Sequence, residues 1–142
     1  MVFGARFDAD WQVVIDYTET LQGVEAFMGS KYVQARIEHA YLDVKRFLLQ
    51  GRKVLFSGTP CQIAGLHQYL RKPYDQLFTT DFICHGTPCL KAWAVFLQET
   101  VQSLKDVQAF VFGTRLVDGS NLGLPLAMIN PKKRFPCWCL FT

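Results

Sequence analysis

Two short apolar segments, each followed by a turn and then by a helix-like stretch, constrain the fold of this chain most strongly. The segments at residues 53–57 and 77–83 have the length and apolar content of buried strands. The stretches around them, at 37–50, 61–70 and 90–104, carry apolar side chains at intervals of three and four residues. This alternation of helices and strands predicts an α/β fold with parallel strands.

The first residues of the chain predict an addition to that layer. Residues 2–7 and 11–17 hold apolar clusters on either side of a turn-forming Asp-Ala-Asp, which is typical of a β-hairpin. Residues 21–27 predict a short helix capped by Thr18 or Thr20. The expected fold class is therefore α/β, with a mixed, largely parallel sheet flanked by helices and an N-terminal β-hairpin.

Size and composition narrow the class of protein. The chain has 142 residues, half of them hydrophobic, which predicts one folded domain with a sizeable core. Its 15 basic and 12 acidic residues leave a net charge of +3, and no basic run is interleaved with aromatic residues, so no nucleic-acid partner is expected. We also expect a cytoplasmic protein without a membrane span, since no long apolar run and no secretory signal is visible.

The cysteines give no sign of a disulfide framework. There are five, an odd number without regular spacing: Cys61, Cys84, Cys89, Cys137 and Cys139. In a reducing compartment such cysteines are more often redox-active, metal-binding or buried than cross-linked. Cys89 is interpreted as a packing or surface residue.

The turn after the first of the two strands carries the most chemistry. Gly58 would allow a sharp turn and a close approach to a ligand, and Thr59 and Pro60 suit the start of a helix. The free N–H groups at a helix start attract anions such as flavin phosphates, and the same positive end favours a thiolate at Cys61. A thiolate is what a nucleophile, a redox centre or an iron ligand requires. The alternative is a plain helix cap followed by a small buried cysteine, which the spacing alone favours.

The second strand ends in a cysteine and a histidine. Cys84 and His85 could form a pair for proton or electron chemistry, although neighbours on a strand point to opposite faces. A core cysteine followed by a turn histidine is an equally open interpretation. Because ligands bind at the carboxyl ends of parallel strands, we expect Cys61 and Cys84 to lie side by side near one cleft.

A third candidate segment precedes the first long helix, at Ser30, Lys31 and Tyr32. Lys31 could hold a phosphate or carboxylate, and Tyr32 could stack on a ring. A solvated loop with one buried tyrosine is the alternative, and the sequence alone favours it.

Four strings in this order resemble a known family: VFGARFDADWQVV, FMGSKYVQA, GRKVLFSGTPCQIAGLHQYL and LFTTDFICHGTPCLKAW. Over about residues 2–105 the chain resembles the C-terminal domain of the coenzyme F420 hydrogenase/dehydrogenase β subunit. The resemblance implies a flavoprotein oxidoreductase that transfers electrons between FAD and an iron–sulfur centre, a 4Fe–4S cluster. It implies an electron-carrier protein or a deazaflavin-type small molecule such as coenzyme F420 as the partner.

The resemblance also implies roles for individual residues. Cys61, Cys84 and His85 are expected to be catalytic, and Cys61 and Cys84 to be iron–sulfur ligands, although which cysteines bind iron stays open. Cofactor contacts are expected from the remaining matched positions: Gly58, Thr59, Pro60, Gln62, Ser30, Lys31, Tyr32 and Gly86.

Members of this family carry an amino-terminal region with ferredoxin-like cysteines, so the resemblance implies that this chain is a fragment. An electron relay needs that region, and we therefore expect little sustained turnover from the fragment alone. The alternative is a cofactor-free remnant or a partner-binding module. A thiol-dependent transferase that uses Cys61 and His85 is a third interpretation.

The expected domain organisation is a partial family domain over residues 1–112 and an irregular tail over 113–142. After Phe112 the family string FRDKxxGWK is replaced by FGTRLVDGSNLGL. A frameshift near Phe112 would explain this, because one restored nucleotide permits the reading FRDKTCGWKQSW, and a divergent tail is the alternative. Exposed apolar side chains in the tail would favour self-association.

Overall fold

The computed structural model describes most of the chain, namely residues 1–100, Val107, Phe110–Val111 and Ala127–Met128. The chain divides into two compact units, of which the first holds Met1–Met28 with Val33–Leu90, and the second holds Gly29–Tyr32 with Lys91–Thr142.

The first unit is built on a four-stranded sheet of β1 (Val2–Phe7), β2 (Val13–Thr18), β3 (Val54–Gly58) and β4 (Leu77–Asp81). The strands lie in the order β2-β1-β3-β4. The β1–β2 hairpin is antiparallel, while the β1–β3 and β3–β4 pairs are parallel. The predicted mixed, largely parallel sheet with an N-terminal hairpin is therefore confirmed.

Five helical elements accompany the described strands: α1 (Leu21–Val24), a 3-10 turn (Glu25–Phe27), α2 (Ala40–Leu49), α3 (Pro60–Leu70) and α4 (Leu90–Thr100). Thr20 caps α1, since its hydroxyl accepts a hydrogen bond from the Gly23 N–H at 3.1 Å. The helix predicted from residue 37 begins three residues later because Ala40 N–H closes a turn onto the Ile37 carbonyl. Its predicted stop at Gly51 is confirmed by a φ of +74° there.

The core lies between α2, α3 and one face of the sheet. Period-two alternation sends Phe3, Val54 and Phe56 to that face, and all three are fully buried. Val44 of α2 and Leu66 of α3 are also fully buried in the same cluster. Each such side chain stabilises the fold by roughly 1.5–3 kcal/mol relative to exposure. The end of β3 and the start of α3 are therefore anchored by side chains of the buried core.

Strand β4 is the outer strand of this sheet next to β3, and it is open to solvent. Residues 78–89 are all exposed. The strand predicted at 77–83 ends at Asp81, because the pairing with β3 runs only as far as Gly58. Cys84 and His85 thus follow the strand instead of ending it.

The described part of the second unit contains an aromatic cluster. Trp93 and Phe96 of α4 stack with ring centroids 5.3 Å apart, and Phe110 meets Trp93 edge-on at the same separation. Phe110 belongs to β5 (Phe110–Val111), which pairs antiparallel with β6 (Ala127–Met128). The helix predicted to reach residue 104 is described as far as Thr100.

Apart from β6, the tail at 113–142 lies outside the described residues, and so do Cys137 and Cys139. The boundary at residue 112, the irregular tail and the frameshift stay predictions. Among the described helices, none combines the length and the hydrophobicity that crossing a bilayer requires.

Candidate functional site

The turn from β3 into α3 is held by a capping box. The Gln62 side chain accepts a hydrogen bond from the Thr59 N–H at 2.9 Å. The reciprocal contact, from the Gln62 N–H to the Thr59 hydroxyl, completes the box. Pro60 occupies the first helical position, where its missing N–H costs nothing. The predicted helix start at Thr59 and Pro60 is confirmed.

Gly58 is needed for space and not for a sharp turn. It lies within β3 and does not adopt a positive φ, so the expectation of a sharp turn there is wrong. A Cβ atom at this position would come within 2.9 Å of the Gln62 Oε1 and 3.1 Å of the Phe56 Cε1. Only glycine therefore leaves room for the Gln62 side chain to fold back onto Thr59.

Cys61 stands on the first turn of α3, and its side chain is exposed. The Thr59 hydroxyl lies 3.1 Å from the Cys61 Sγ, within hydrogen-bonding distance. The alternative of a small buried cysteine is therefore wrong. A thiol at a helix start, beside a hydroxyl and open to solvent, is placed to act as a ligand or as a redox group.

Tyr41 supports this turn from α2, and the sequence reasoning missed it. Its hydroxyl donates a hydrogen bond to the Gln62 carbonyl at 2.6 Å. Burial, and second the charge of Cys61, raise the pKa of the Tyr41 hydroxyl. Helical periodicity marks Tyr41 only as an apolar position. The available signal is Gly65 in the middle of a predicted helix, because an interior glycine often marks a close approach.

The turn after β4 has far fewer contacts. Cys84 is exposed, so the alternative of a core cysteine is wrong for it as well. The Gly86 N–H donates a hydrogen bond to the Cys84 Sγ at 3.4 Å, and Gly86 has a φ of +98°. Parallel pairing of Gly58 with Asp81 makes the turns that carry Cys61 and Cys84 leave the same edge of the sheet. This is the edge at which parallel sheets bind ligands.

The third predicted segment lies in the other unit. Ser30 and Tyr32 are exposed, and Lys31 is half-buried with its Nζ 3.2 Å from the Gly29 carbonyl. Burial lowers the pKa of the Lys31 amine. Tyr32 is exposed, so the alternative of a buried tyrosine in this loop is wrong.

A cleft of about 260 Å³ opens elsewhere in the first unit, beside β2 and the start of α2. The ion pair between Arg6 and Asp16, 2.6 Å long, lies in its wall together with Tyr17 and His39. None of the predicted site residues lines this cleft. The candidate site is accordingly an open edge and not this cavity.

The iron–sulfur prediction can be compared with the ligands present. Within the described part of the chain, no three His, Cys, Asp or Glu side chains come together in a group that could hold a metal ion. A 4Fe–4S cluster takes four cysteine thiolates. The described residues therefore do not provide a full ligand set, and iron binding by Cys61 and Cys84 stays a prediction.

The fold and the two turns define an α/β domain that presents thiols at the carboxyl edge of a parallel sheet. The family defined by the C terminus of the coenzyme F420 hydrogenase/dehydrogenase beta subunit matches residues 51–137, which is more than half of the chain. The chain belongs to this family, and the resemblance inferred from the sequence is confirmed. No curated protein sequence matches it.

Proposed function

We propose that this chain takes part in electron transfer between FAD and an iron–sulfur centre or a deazaflavin-like carrier, as a fragment of an oxidoreductase of this family. The observation that supports the proposal best is the β3–α3 turn. Cys61 is exposed on the first turn of a helix, beside the Thr59 hydroxyl, at the carboxyl end of a parallel strand. A polar helix start next to a thiol suits an anionic redox cofactor.

The turn fits a flavin phosphate in part. The capping box already engages the N–H groups of Thr59 and Gln62, and Pro60 has none. The Cys61 N–H is left as the donor of the first turn that an anion could reach. Release of the Gln62 side chain would free the Thr59 N–H as a second donor. FAD would supply the two-electron redox centre, while Gly58 and Gln62 shape the turn that receives it.

The remaining site residues enter the proposal with narrower roles. Cys84 and His85 would supply a thiol and a proton-carrying imidazole at the same edge of the sheet. Gly86 would let the backbone approach the cofactor closely. Cofactor contacts are also proposed for the segment Ser30, Lys31 and Tyr32. A cluster bound through Cys61 and Cys84 would need further ligands from outside the described residues.

A flavin titration of the full chain under anaerobic conditions tests the proposal. Quenching of FAD fluorescence is expected on binding, and Cys61→Ala should weaken that binding roughly fivefold, since the contact of the thiol with the cofactor is lost while the Cys61 N–H remains. Cys89→Ala is the matched control, because Cys89 is also exposed but has no place in the proposed site. Absence of FAD binding, or equal affinity in Cys61→Ala, contradicts the proposal.

A partner-binding module without a cofactor is the second candidate, and a specific surface favours it. Phe78, Phe82 and Ile83 are 52%, 56% and 87% exposed along and just after an outer strand. Apolar side chains grouped in this way are typical of interaction surfaces. For this candidate the chain takes up no FAD, and sedimentation shows association that Ile83→Ser reduces.

A further inference from the structure

We propose that Tyr41 is a positioning residue of the candidate site, whose hydroxyl holds the first turn of α3, and with it the Cys61 thiol, in place. The inference rests on the redox role proposed for Cys61. The role of Tyr41 is positioning and not catalytic, because its hydrogen bond goes to the Gln62 carbonyl.

The hydrogen bond of Tyr41 reaches the residue that organises the turn. Its hydroxyl donates to the Gln62 carbonyl at 2.6 Å, across 21 positions of the chain. Gln62 also closes the capping box through its side chain, at 2.9 Å from the Thr59 N–H. Gln62 is thus held from both sides, and Cys61 directly precedes it. The direction of the thiol depends on both bonds.

The packing around the Tyr41 hydroxyl supports this contact, because Gly65 leaves space for the hydroxyl oxygen. A Cβ atom at Gly65 would come within 2.9 Å of the Tyr41 hydroxyl oxygen, while its next nearest ring atoms are 3.6 Å away. A glycine inside a helix weakens that helix, and at this position it leaves room for the Tyr41 hydroxyl. The Tyr41 ring also lies 6.0 Å from the Phe56 ring and 5.9 Å from the Tyr69 ring.

Electrostatics link the hydroxyl to the sulfur. Burial raises the pKa of Tyr41 most, and the charge of Cys61 raises it further. The Tyr41 hydroxyl therefore stays protonated, as a donor to Gln62, up to a higher pH than an ordinary phenol. Described groups that face Tyr41 from α3 are Cys61 and Tyr69, and Lys45 of α2 lies over the Tyr69 ring at 5.6 Å.

Alkylation of the full chain by iodoacetamide tests the inference, with peptide mapping to follow each cysteine separately. The rate at Cys61 is divided by the rate at Cys89, an exposed thiol of the same chain. Tyr41→Phe keeps the ring and removes the hydrogen bond. Tyr69→Phe is the matched control, because it also removes a tyrosine hydroxyl, from the neighbouring ring. That hydroxyl makes no hydrogen bond to any described residue. Rates are measured from about pH 6 to 9, where thiols ionise.

The reactive thiol of the proposed function predicts that the alkylation rate of Cys61 exceeds that of Cys89 in the wild type at about pH 7, a ratio above one. Tyr41→Phe should lower that ratio about threefold, as expected for one lost hydrogen bond, and Tyr69→Phe should leave it unchanged. A ratio above one that Tyr41→Phe does not lower overturns the positioning role and leaves the proposed function standing. A wild-type ratio of one or less contradicts the proposed reactive thiol itself and the inference with it.

Gly65→Ala provides a second variant should Tyr41→Phe fail to fold. It retains the tyrosine but pushes on its hydroxyl. A similar loss in the Cys61 to Cys89 ratio supports the inference, and an unchanged ratio overturns it.

Discussion

The tetrapeptide Gly-Thr-Pro-Cys occurs twice in this chain, at residues 58–61 and 86–89, and the structure treats the two copies differently. In the first copy, α3 begins inside the tetrapeptide at Pro60, so Cys61 is helical. In the second copy, α4 begins after it at Leu90, so Cys89 lies outside the helix. Both copies follow a strand of the same parallel pair.

The residue that follows each tetrapeptide accounts for the difference. Position N3 of a capping box needs a side chain that can accept a hydrogen bond from the N-cap backbone. Gln62 provides it in the first copy, and Leu90 cannot provide it in the second. The residue after the tetrapeptide therefore has more influence on where the helix begins than the four shared residues. A sequence motif identifies a turn, but its capping partner decides whether the cysteine joins the helix.

Substitution of Gly58 and of Gly86 by alanine should give the largest difference in stability between the two copies. Gly58→Ala should destabilise the fold by about 2–3 kcal/mol, because its methyl meets Gln62 and the fully buried Phe56. Gly86→Ala should cost about 1 kcal/mol, because its φ of +98° is strained for alanine although nothing lies within 4 Å. Urea unfolding measures both values. A larger loss for Gly86→Ala would mean that the second turn is the more tightly held one.

Exchange of the residue after each tetrapeptide should remove the capping box from the first copy and create one in the second. Gln62→Leu should destabilise the protein by about 1–2 kcal/mol, since the Thr59 N–H loses its acceptor. Leu90→Gln should extend α4 toward Cys89 and stabilise by about 0.5–1 kcal/mol. Gln68→Leu, at an exposed position of α3, is the control and should stay within about 0.5 kcal/mol of wild type. Equal losses for Gln62→Leu and Gln68→Leu would remove the capping box as the explanation.

Local sequence signals were sufficient for most of the fold and for the helix start that carries Cys61. The hairpin, the parallel strands, the stop at Gly51 and the helix start at Thr59 all depend on neighbouring residues, which a sequence pattern contains. The role of Gly58 was mistaken because its constraint comes from a side chain packed against it and not from its own φ.

Features that depend on distant contacts were not predictable in this way. The exposure of Cys84 follows from the outer position of β4, which only the strand order reveals. The contact of Tyr41 with Gln62 joins two helices separated by a strand, and helical periodicity cannot distinguish a hydroxyl that bonds from one that reaches solvent.

A double-mutant cycle at Gly65 and Tyr41 measures how strongly the Tyr41 hydroxyl and the Gly65 position are coupled in the first copy. Gly65→Ala alone should destabilise by about 1 kcal/mol, since the methyl displaces the Tyr41 hydroxyl. In a Tyr41→Phe background the same change should stabilise by about 0.5–1 kcal/mol, because alanine favours a helix and the clash is gone. Thermal or urea unfolding of the four proteins gives the coupling. Additive effects would show that the hydroxyl does not occupy the space above Gly65.

The smallest expected effect is the ionisation of Tyr41. Burial and then Cys61 raise its pKa above the ordinary value of 10.0, so folding favours the neutral phenol. This contribution to stability is fully present below the ordinary pKa and is lost as the pH rises through the raised one. The difference in near-ultraviolet phenolate absorbance between wild type and Tyr41→Phe reports that titration. Cys61→Ala should lower the Tyr41 pKa but leave it above the ordinary value, because burial, the larger cause, remains. An unchanged pKa in Cys61→Ala would mean that the phenol and the sulfur are not electrostatically coupled, and the first turn would then differ from the second through its capping box alone.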